Sequence, residues 1–134
     1  MRALLLAVGL AVGAIVLASS SVDEGEVVTL ISTDSAGAAF ETQLWIVDVD
    51  GSLYLRAGSP HSRWLARLRA QPHVTLVRGG VRVEASALPQ TDPKILSLVN
   101  ERMAEKYGYA DRLWAHLVDR DHSVPILLEP RSGP

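Results

Sequence analysis

The chain has 134 residues, of which 48% are hydrophobic and 21% are charged, and its formal net charge is −2. These values exclude a disordered or fibrous protein. Because no arginine cluster has aromatic residues interleaved with it, they also argue against a nucleic-acid partner. The absence of cysteine excludes disulfides, thiol catalysis, iron–sulfur clusters and cysteine-ligated zinc.

The N-terminus is uncharged over residues 3–18, with Arg2 before this stretch and Asp23, Glu24 and Glu26 after it. Its length suits either a short membrane span or the core of a signal peptide. We therefore assign residues 1–22 to an N-terminal hydrophobic helix, a membrane anchor or a signal peptide, and residues 23–134 to one soluble domain. The flanking charges predict a single span in the inner membrane, with the soluble domain on the periplasmic side.

The first part of the soluble domain is predicted to form strands. Residues 27–31 are β-branched and apolar, and a small-residue loop over 33–39 separates them from a long strand predicted over 40–49. Asp50-Gly51 is a strong hairpin signal, which pairs this strand with residues 52–57.

A short helix and a second hairpin are predicted next. Ser62 is a predicted N-cap for a helical run over 65–70, which Pro72 ends. The strands 74–77 and 81–88 flank Gly79-Gly80 and form the second hairpin. Alternation in the latter strand predicts four inward side chains, those of Val81, Val83, Ala85 and Ala87.

The C-terminal part is predicted to contain two helices and a closing strand. Asp92-Pro93 is typical of a helix start, Gly108 of its end, and a further short helix is predicted over 111–118. Residues 124–128 form the last strand, in which Pro125 requires an edge or a strand start. The order predicts an α+β barrel of about six antiparallel strands with two or three helices.

Five motifs in this order carry a family resemblance over residues 27–130: Thr42-Gln43-Leu44-Trp45, residues 58–68, Gln71-Pro72-His73-Val74, residues 106–111 and residues 124–130. Together they resemble the flavin-binding split β-barrel proteins related to pyridoxamine phosphate oxidase. The closest branch is the deazaflavin-dependent nitroreductase and quinone reductase group. The resemblance implies a split β-barrel and a homodimer with the cofactor at the subunit interface.

The resemblance also implies site residues. In the resembling family, tyrosines from this region approach the substrate, so Tyr107 and Tyr109 are the predicted catalytic residues. Arginine binds phosphate in bidentate fashion, so the loop between Arg56 and Arg63 is a predicted phosphate site. The full predicted cofactor-binding set is Gln43, Leu44, Trp45, Arg56, Ser59, Ser62, Arg63 and Trp64.

One loop and one residue differ from those of the deazaflavin-binding members. The loop over 33–39 holds an acid and no base where many of those members are basic, and Gln43 stands where they have proline. The cofactor therefore stays open between FMN, the deazaflavin F420, haem and none. No histidine pair has ligand spacing, so no metal site is predicted, and His61 or His116 would be the axial ligand if haem binds.

Two functions follow as hypotheses. The first is a membrane-tethered, flavin- or deazaflavin-dependent reductase that transfers hydride to a quinone or nitroaromatic acceptor. The second is a non-enzymatic split-barrel domain that binds haem, a lipid or a protein partner.

Overall fold

The computed structural model describes residues 25–132. The predicted N-terminal helix over residues 1–22 lies outside the described residues. Within residues 25–132, no helix combines the length and the hydrophobicity that crossing a membrane requires.

Seven strands form one antiparallel sheet. In chain order they are β1 (Val28–Thr33), β2 (Ala39–Leu44), β3 (Ile46–Val49), β4 (Ser52–Ala57), β5 (His73–Arg78), β6 (Val81–Pro89) and β7 (Val124–Pro130). Their order across the sheet is β2-β1-β5-β6-β7-β4-β3. The strand preceding Trp45 and the strand following it therefore lie at opposite edges. Because consecutive Cα atoms are only about 3.8 Å apart, the sheet must curl until these edges meet at Trp45.

Three α-helices fill the connections: α1 (Arg63–Ala70), α2 (Pro93–Tyr107) and α3 (Tyr109–Leu117), followed by a short 3₁₀ turn, Arg120–His122. The predicted start of α2 is confirmed, since the Asp92 carboxylate accepts a hydrogen bond from the Lys94 N–H and Pro93 is the first helical residue. Gly108, at φ 55° and ψ −122°, ends α2 and begins α3. This backbone conformation is open to glycine and strained for other residues.

The predicted α+β class is confirmed, and three details are corrected. Residues 40–49 are two strands at opposite sheet edges, because the chain crosses between them at Trp45. The Ser62 hydroxyl does not cap α1 but donates to the Ser59 carbonyl oxygen at 2.9 Å. Val81 is exposed at the hairpin tip, whereas Ala85 and Ala87 of the same strand are buried as predicted.

The buried side chains form two clusters on opposite faces of the sheet. The first joins residues of six strands, such as Leu30, Leu76 and Ile126, to Leu65 and Leu68 of α1, so the sheet curls around it. The second packs α2 against β3 and β4 and contains Val47, Val49, Tyr54, Val99, Met103 and Tyr107.

The alternation of side chains along β4 positions a charge beneath the helices. Leu55 and Ala57 belong to the first cluster, and Tyr54 belongs to the second. Since successive strand residues point to opposite faces, Arg56 lies on the same face as Tyr54, towards α2 and α3.

Candidate functional site

A cavity of about 360 Å³ lies where the sheet edges meet. Its described lining consists of Val27, Gln43, Leu44, Trp45, Arg56 and Trp114. These residues come from the approach to β1, the end of β2, the crossing point, β4 and α3. The curl of the sheet and the docking of α3 therefore build the cavity together.

Trp45 is held against the end of α2. Its ring stacks on that of Tyr107, with centroids 4.4 Å apart and planes 9° apart. The ring of Trp114 lies 6.4 Å from Trp45 at an angle of 45°. The two indoles thus give the cavity two aromatic walls that meet at an angle.

The Tyr107 hydroxyl fixes two backbone segments that border the cavity. It accepts a hydrogen bond from the Ile46 N–H at 3.0 Å. It also lies 2.9 Å from the carbonyl oxygens of both Glu26 and Ile46, to which its single proton can be donated. Because the hydroxyl binds the backbone at both Glu26 and Ile46 and Tyr107 is only 1% exposed, this hydroxyl has a structural role.

Glu26 is tied to the same place by two cations. Lys106 Nζ lies 2.6 Å from one carboxylate oxygen and also donates to the Ile46 carbonyl at 2.9 Å. Arg78 Nε donates to the other carboxylate oxygen at 2.8 Å. Burial opposes ionisation, but the hydrogen bonds from Arg78 and Lys106 outweigh it and hold the pKa of Glu26 below its ordinary value.

Arg56, the charged residue of the described lining, belongs to a buried ion pair. Arg56 Nη2 lies 2.7 Å from Asp111 Oδ1, and both side chains are almost fully buried. Arg56 Nη1 donates to Asn100 Oδ1 at 2.9 Å, and the guanidinium carbon lies 3.7 Å from the centroid of the Trp114 ring. Burial lowers the pKa of Arg56 despite the compensating bond to Asp111. Arginine nevertheless stays charged, because the ordinary pKa of its guanidinium lies far above neutral pH.

Two polar atoms of this pair lack hydrogen bonds among the described residues. They are Arg56 Nε and Asp111 Oδ2. Asp111 Oδ2 still lies 3.5 Å from Arg120 Nη1, a distance at which the charges attract but a hydrogen bond is poor. Arg56 Nε is a buried donor on a residue that lines the cavity. Buried donors in proteins are normally paired with an acceptor.

The structure brings together half of the predicted cofactor-binding set. Gln43, Leu44, Trp45 and Arg56 all line the cavity. Ser59, Ser62, Arg63 and Trp64 are not in its described lining. Ser59 Oγ accepts from the His61 N–H, and Arg63 is exposed. Trp64 packs against the first core cluster.

The two predicted catalytic tyrosines lie in different environments. Tyr107 is buried behind Trp45 with its hydroxyl on the backbone, as described above. Tyr109 is exposed at the start of α3, with the Arg112 guanidinium 5.4 Å from its ring centroid. Substrate contact by either tyrosine stays a prediction.

Sequence reasoning missed Asn100, Asp111, Trp114 and Val27. Asp111 and Trp114 lie three positions apart, a spacing that puts both on one helical face. An acidic residue on the same face as a tryptophan is the sequence feature that could have indicated the buried ion pair. Asn100 gave no such signal, because it shares α2 with several exposed polar residues.

The lining suits a flat, conjugated ring that carries a carbonyl oxygen. Indole faces stack on such rings, and Arg56 brings a positive charge and a buried, unpaired Nε–H to the lining. An isoalloxazine or deazaflavin ring has this chemistry. Arg56 is the only cationic residue of the described lining, and both of its Nη groups already have protein partners. The described lining therefore offers no free cation for a phosphate.

The four histidines lie away from this cavity. His61, His73, His116 and His122 are all exposed. His73 pairs with Glu84 at 2.9 Å and His122 with Asp119 at 2.6 Å. Within residues 25–132, no group of three or more histidine, aspartate and glutamate residues is arranged to hold a metal ion.

No protein-family model matches the chain, and no curated protein is similar to it in sequence. Solved structures do resemble it. A putative pyridoxamine 5′-phosphate oxidase from Listeria innocua is 15% identical, with a TM-score of 0.63 over 84% of this chain and 89% of that one. The haem storage protein HutZ from Vibrio cholerae is 16% identical, with a TM-score of 0.64 over 81% and 83%.

An F420-H2 dependent reductase is 20% identical, with a TM-score of 0.60 over 77% of this chain and 94% of that one. Likeness at these identities establishes the fold and leaves the ligand open. The chain has the split β-barrel fold of the pyridoxamine 5′-phosphate oxidase-like proteins.

Proposed function

We propose that this protein is a flavin-type oxidoreductase whose cavity holds the ring of FMN or a deazaflavin. The observation that carries the proposal is that Trp45, Trp114 and Arg56 line one cavity, and that Arg56 has a buried Nε without a hydrogen-bond partner among the described residues. The names of the similar structures support it, since they include a reductase and an oxidase-like protein. The cofactor would supply the hydride, and the acceptor class we propose is a quinone or a nitroaromatic.

The residues of this chain would bind and orient the ring. Trp45 and Trp114 would offer stacking surfaces and exclude water, and Arg56 would donate to a ring carbonyl from Nε after a side-chain shift that exposes this buried atom. Hydride transfer asks little more of a protein than close placement of donor and acceptor. An acid–base pair is therefore not required of the cavity.

Three further parts of the proposal concern assembly and location. We propose a homodimer, in which a partner could supply the phosphate contacts that the described lining lacks. We also propose that residues 3–18 tether the protein to the inner membrane, with the domain on the periplasmic side. A membrane-bound reductase would meet lipophilic quinones at that surface.

The test is a titration of the full-length protein with FMN, the deazaflavin F420 and haem, followed by tryptophan fluorescence. Since Trp45 and Trp114 line the cavity, a bound ring quenches their emission. The variant Trp64→Phe is the matched control, because Trp64 packs in the core away from the cavity. It should keep the quenching, whereas Trp114→Phe should lose a large part of it.

The role of Arg56 is tested in a double variant that also removes Asp111, so that no unpaired charge stays buried. The double variant Arg56→Met/Asp111→Leu should fold and bind flavin at least about tenfold more weakly, as expected for a lost hydrogen bond from a charged donor. Arg63→Ala reports separately on the predicted phosphate loop. Absence of flavin binding by the folded wild-type protein, monomer or dimer, would overturn the proposal.

A second candidate function is a non-enzymatic domain that binds haem, a lipid or a protein partner. It is favoured by the internal use of both Arg56 Nη groups, which leaves the described lining without a phosphate ligand. The similarity to a haem storage protein is in keeping with it. Haem binding without flavin binding in the same titration would support this alternative.

A further inference from the structure

Helix α3 presents three of its larger apolar side chains to solvent and buries its acid. Asp111 is fully buried against Arg56, while Tyr109, Leu113 and Leu117 are 66%, 49% and 84% exposed. This is the reverse of an ordinary surface helix, whose apolar stripe faces the core. Exposed apolar side chains that are contiguous on one helix mark a surface that is covered by something else.

The exposed residues form one face by their spacing. Tyr109, Arg112, Leu113, His116 and Leu117 occur at i, i+3, i+4, i+7 and i+8, and all five are exposed. We call this set the α3 outer face. It combines two leucines and a tyrosine with two groups that can carry positive charge. Helices that lie in the interface of a bilayer have this composition, with leucines in the acyl boundary and bases among the phosphates.

The chain reaches the domain beside this face. Glu26 is fixed to the end of α2 through its carbonyl oxygen, 2.9 Å from the Tyr107 hydroxyl, and through its carboxylate, 2.6 Å from Lys106 Nζ. Helix α3 begins at Tyr109, two residues after Tyr107. The uncharged stretch over residues 3–18 is thus connected to the protein next to α3.

The connection is short. Between residue 18 and residue 25 the chain can span at most about 25 Å when fully extended. Helix α3 has nine residues and is about 14 Å long. If residues 3–18 enter a bilayer, every residue of the α3 outer face therefore lies within reach of that bilayer's surface.

We propose that the α3 outer face is a membrane-contact surface that lies on the bilayer carrying residues 3–18. The occupant is lipid: the leucines enter the acyl boundary, and Arg112 and His116 face the headgroups. Trp114, which lines the cavity, belongs to the same helix. The cavity is then held at a fixed height above the membrane. The contact rests on the proposed membrane tether through residues 3–18 and does not depend on whether the cavity binds flavin, haem or another ring.

The experiment uses the absence of cysteine in the chain. Full-length Leu113→Cys and Leu117→Cys proteins are each labelled with an environment-sensitive dye. They are then reconstituted into vesicles of phosphatidylcholine with a minor share of phosphatidylglycerol. Lys94→Cys is the matched control, since this exposed position on α2 lies about 20 Å along the helix axis from Tyr107.

The expected result is a blue-shifted emission at positions 113 and 117 that a lipid-attached quencher reduces several-fold more than it reduces emission at position 94. A second pair of variants adds aspartate at the other leucine, Leu113→Cys/Leu117→Asp and Leu117→Cys/Leu113→Asp. These should return the dye to an aqueous spectrum while residues 3–18 keep the protein on the vesicles.

Three results would overturn the proposal. One is a full-length protein that does not bind the vesicles. Another is dye emission at positions 113 and 117 as aqueous as at position 94. The third is a blue shift that the lipid quencher leaves unchanged and that rises with protein concentration, which would assign the face to a second copy of the chain.

Discussion

The rings of Trp45 and Tyr107 stack with their centroids 4.4 Å apart and their planes 9° apart. Trp45 is the single residue between β2 and β3, the point at which the chain passes from one edge of the sheet to the other. Tyr107 is the last residue of α2. The end of this helix therefore sets the position of the aromatic residue that closes the curled sheet and forms a wall of the cavity.

Replacing Tyr107 by phenylalanine should destabilise the protein by about 1–3 kcal/mol. The change leaves the ring stacked on Trp45 but removes the acceptor of the Ile46 N–H, a buried donor that then has no partner. The free energy of unfolding from urea denaturation measures the effect.

Tyr54→Phe is the control for this prediction. Tyr54 is also buried, but its hydroxyl has no hydrogen-bond partner among residues 25–132, so its loss should change stability by no more than about 0.5 kcal/mol. If Tyr107→Phe keeps full stability and loses only turnover on a quinone, the predicted catalytic role of Tyr107 is supported over the structural one.

Removing Asp111 alone should cost about 3–5 kcal/mol, because Asp111→Ala leaves the Arg56 guanidinium buried without its counter-ion. Removing both charges in Arg56→Met/Asp111→Leu should recover most of that loss, since apolar residues of similar volume replace a buried pair at little cost. A double-mutant cycle in urea measures the coupling. A double variant as unstable as Asp111→Ala would contradict this account.

The elements of the fold could be predicted from the sequence because their signals are local. Asp92-Pro93 fixed the start of α2, Gly108 its end, and Asp50-Gly51 the first hairpin. The break at Trp45 could not be predicted in this way. Residues on both sides of it are β-forming, and the separation of β2 from β3 depends on pairing with strands elsewhere in the chain.

The candidate site was predicted in part for a similar reason. Gln43, Leu44 and Trp45 form a contiguous motif, and the motif does line the cavity. The role of Arg56 depends on Asp111, 55 residues away, and on Trp114 beside it. A long-range ion pair leaves no pattern in the sequence around Arg56, so the sequence predicts a phosphate ligand where the structure has an ion pair.

Replacing Gly108 by alanine should lower stability by about 1–3 kcal/mol, since φ 55° with ψ −122° is a strained conformation for a residue with a Cβ. Because α3 starts at this residue and carries Trp114, we also expect the tryptophan emission to change in the folded state. Gly25→Ala is the control, as an added Cβ at this position would have no atom of the described residues within 4 Å. Equal stability of the two variants would mean that the junction between α2 and α3 tolerates a side chain.

The contribution of Glu26 to stability should depend on pH. Hydrogen bonds from Arg78 and Lys106 hold its pKa below the ordinary value in the folded protein, against the effect of burial. A carboxylate whose pKa is lowered by folding stabilises the protein fully above the unfolded pKa, about 4.3, and loses that contribution as the pH falls through the folded pKa. The urea midpoints of the wild type and of Glu26→Gln should therefore differ at about pH 7 and converge as the pH falls through the folded pKa of Glu26. Glu101→Gln, a change at an exposed residue of α2 with no ion pair to a described residue, should leave the midpoint unchanged throughout. A difference between wild type and Glu26→Gln that is the same at every pH would show that the glutamine loses packing or hydrogen bonds and not charge.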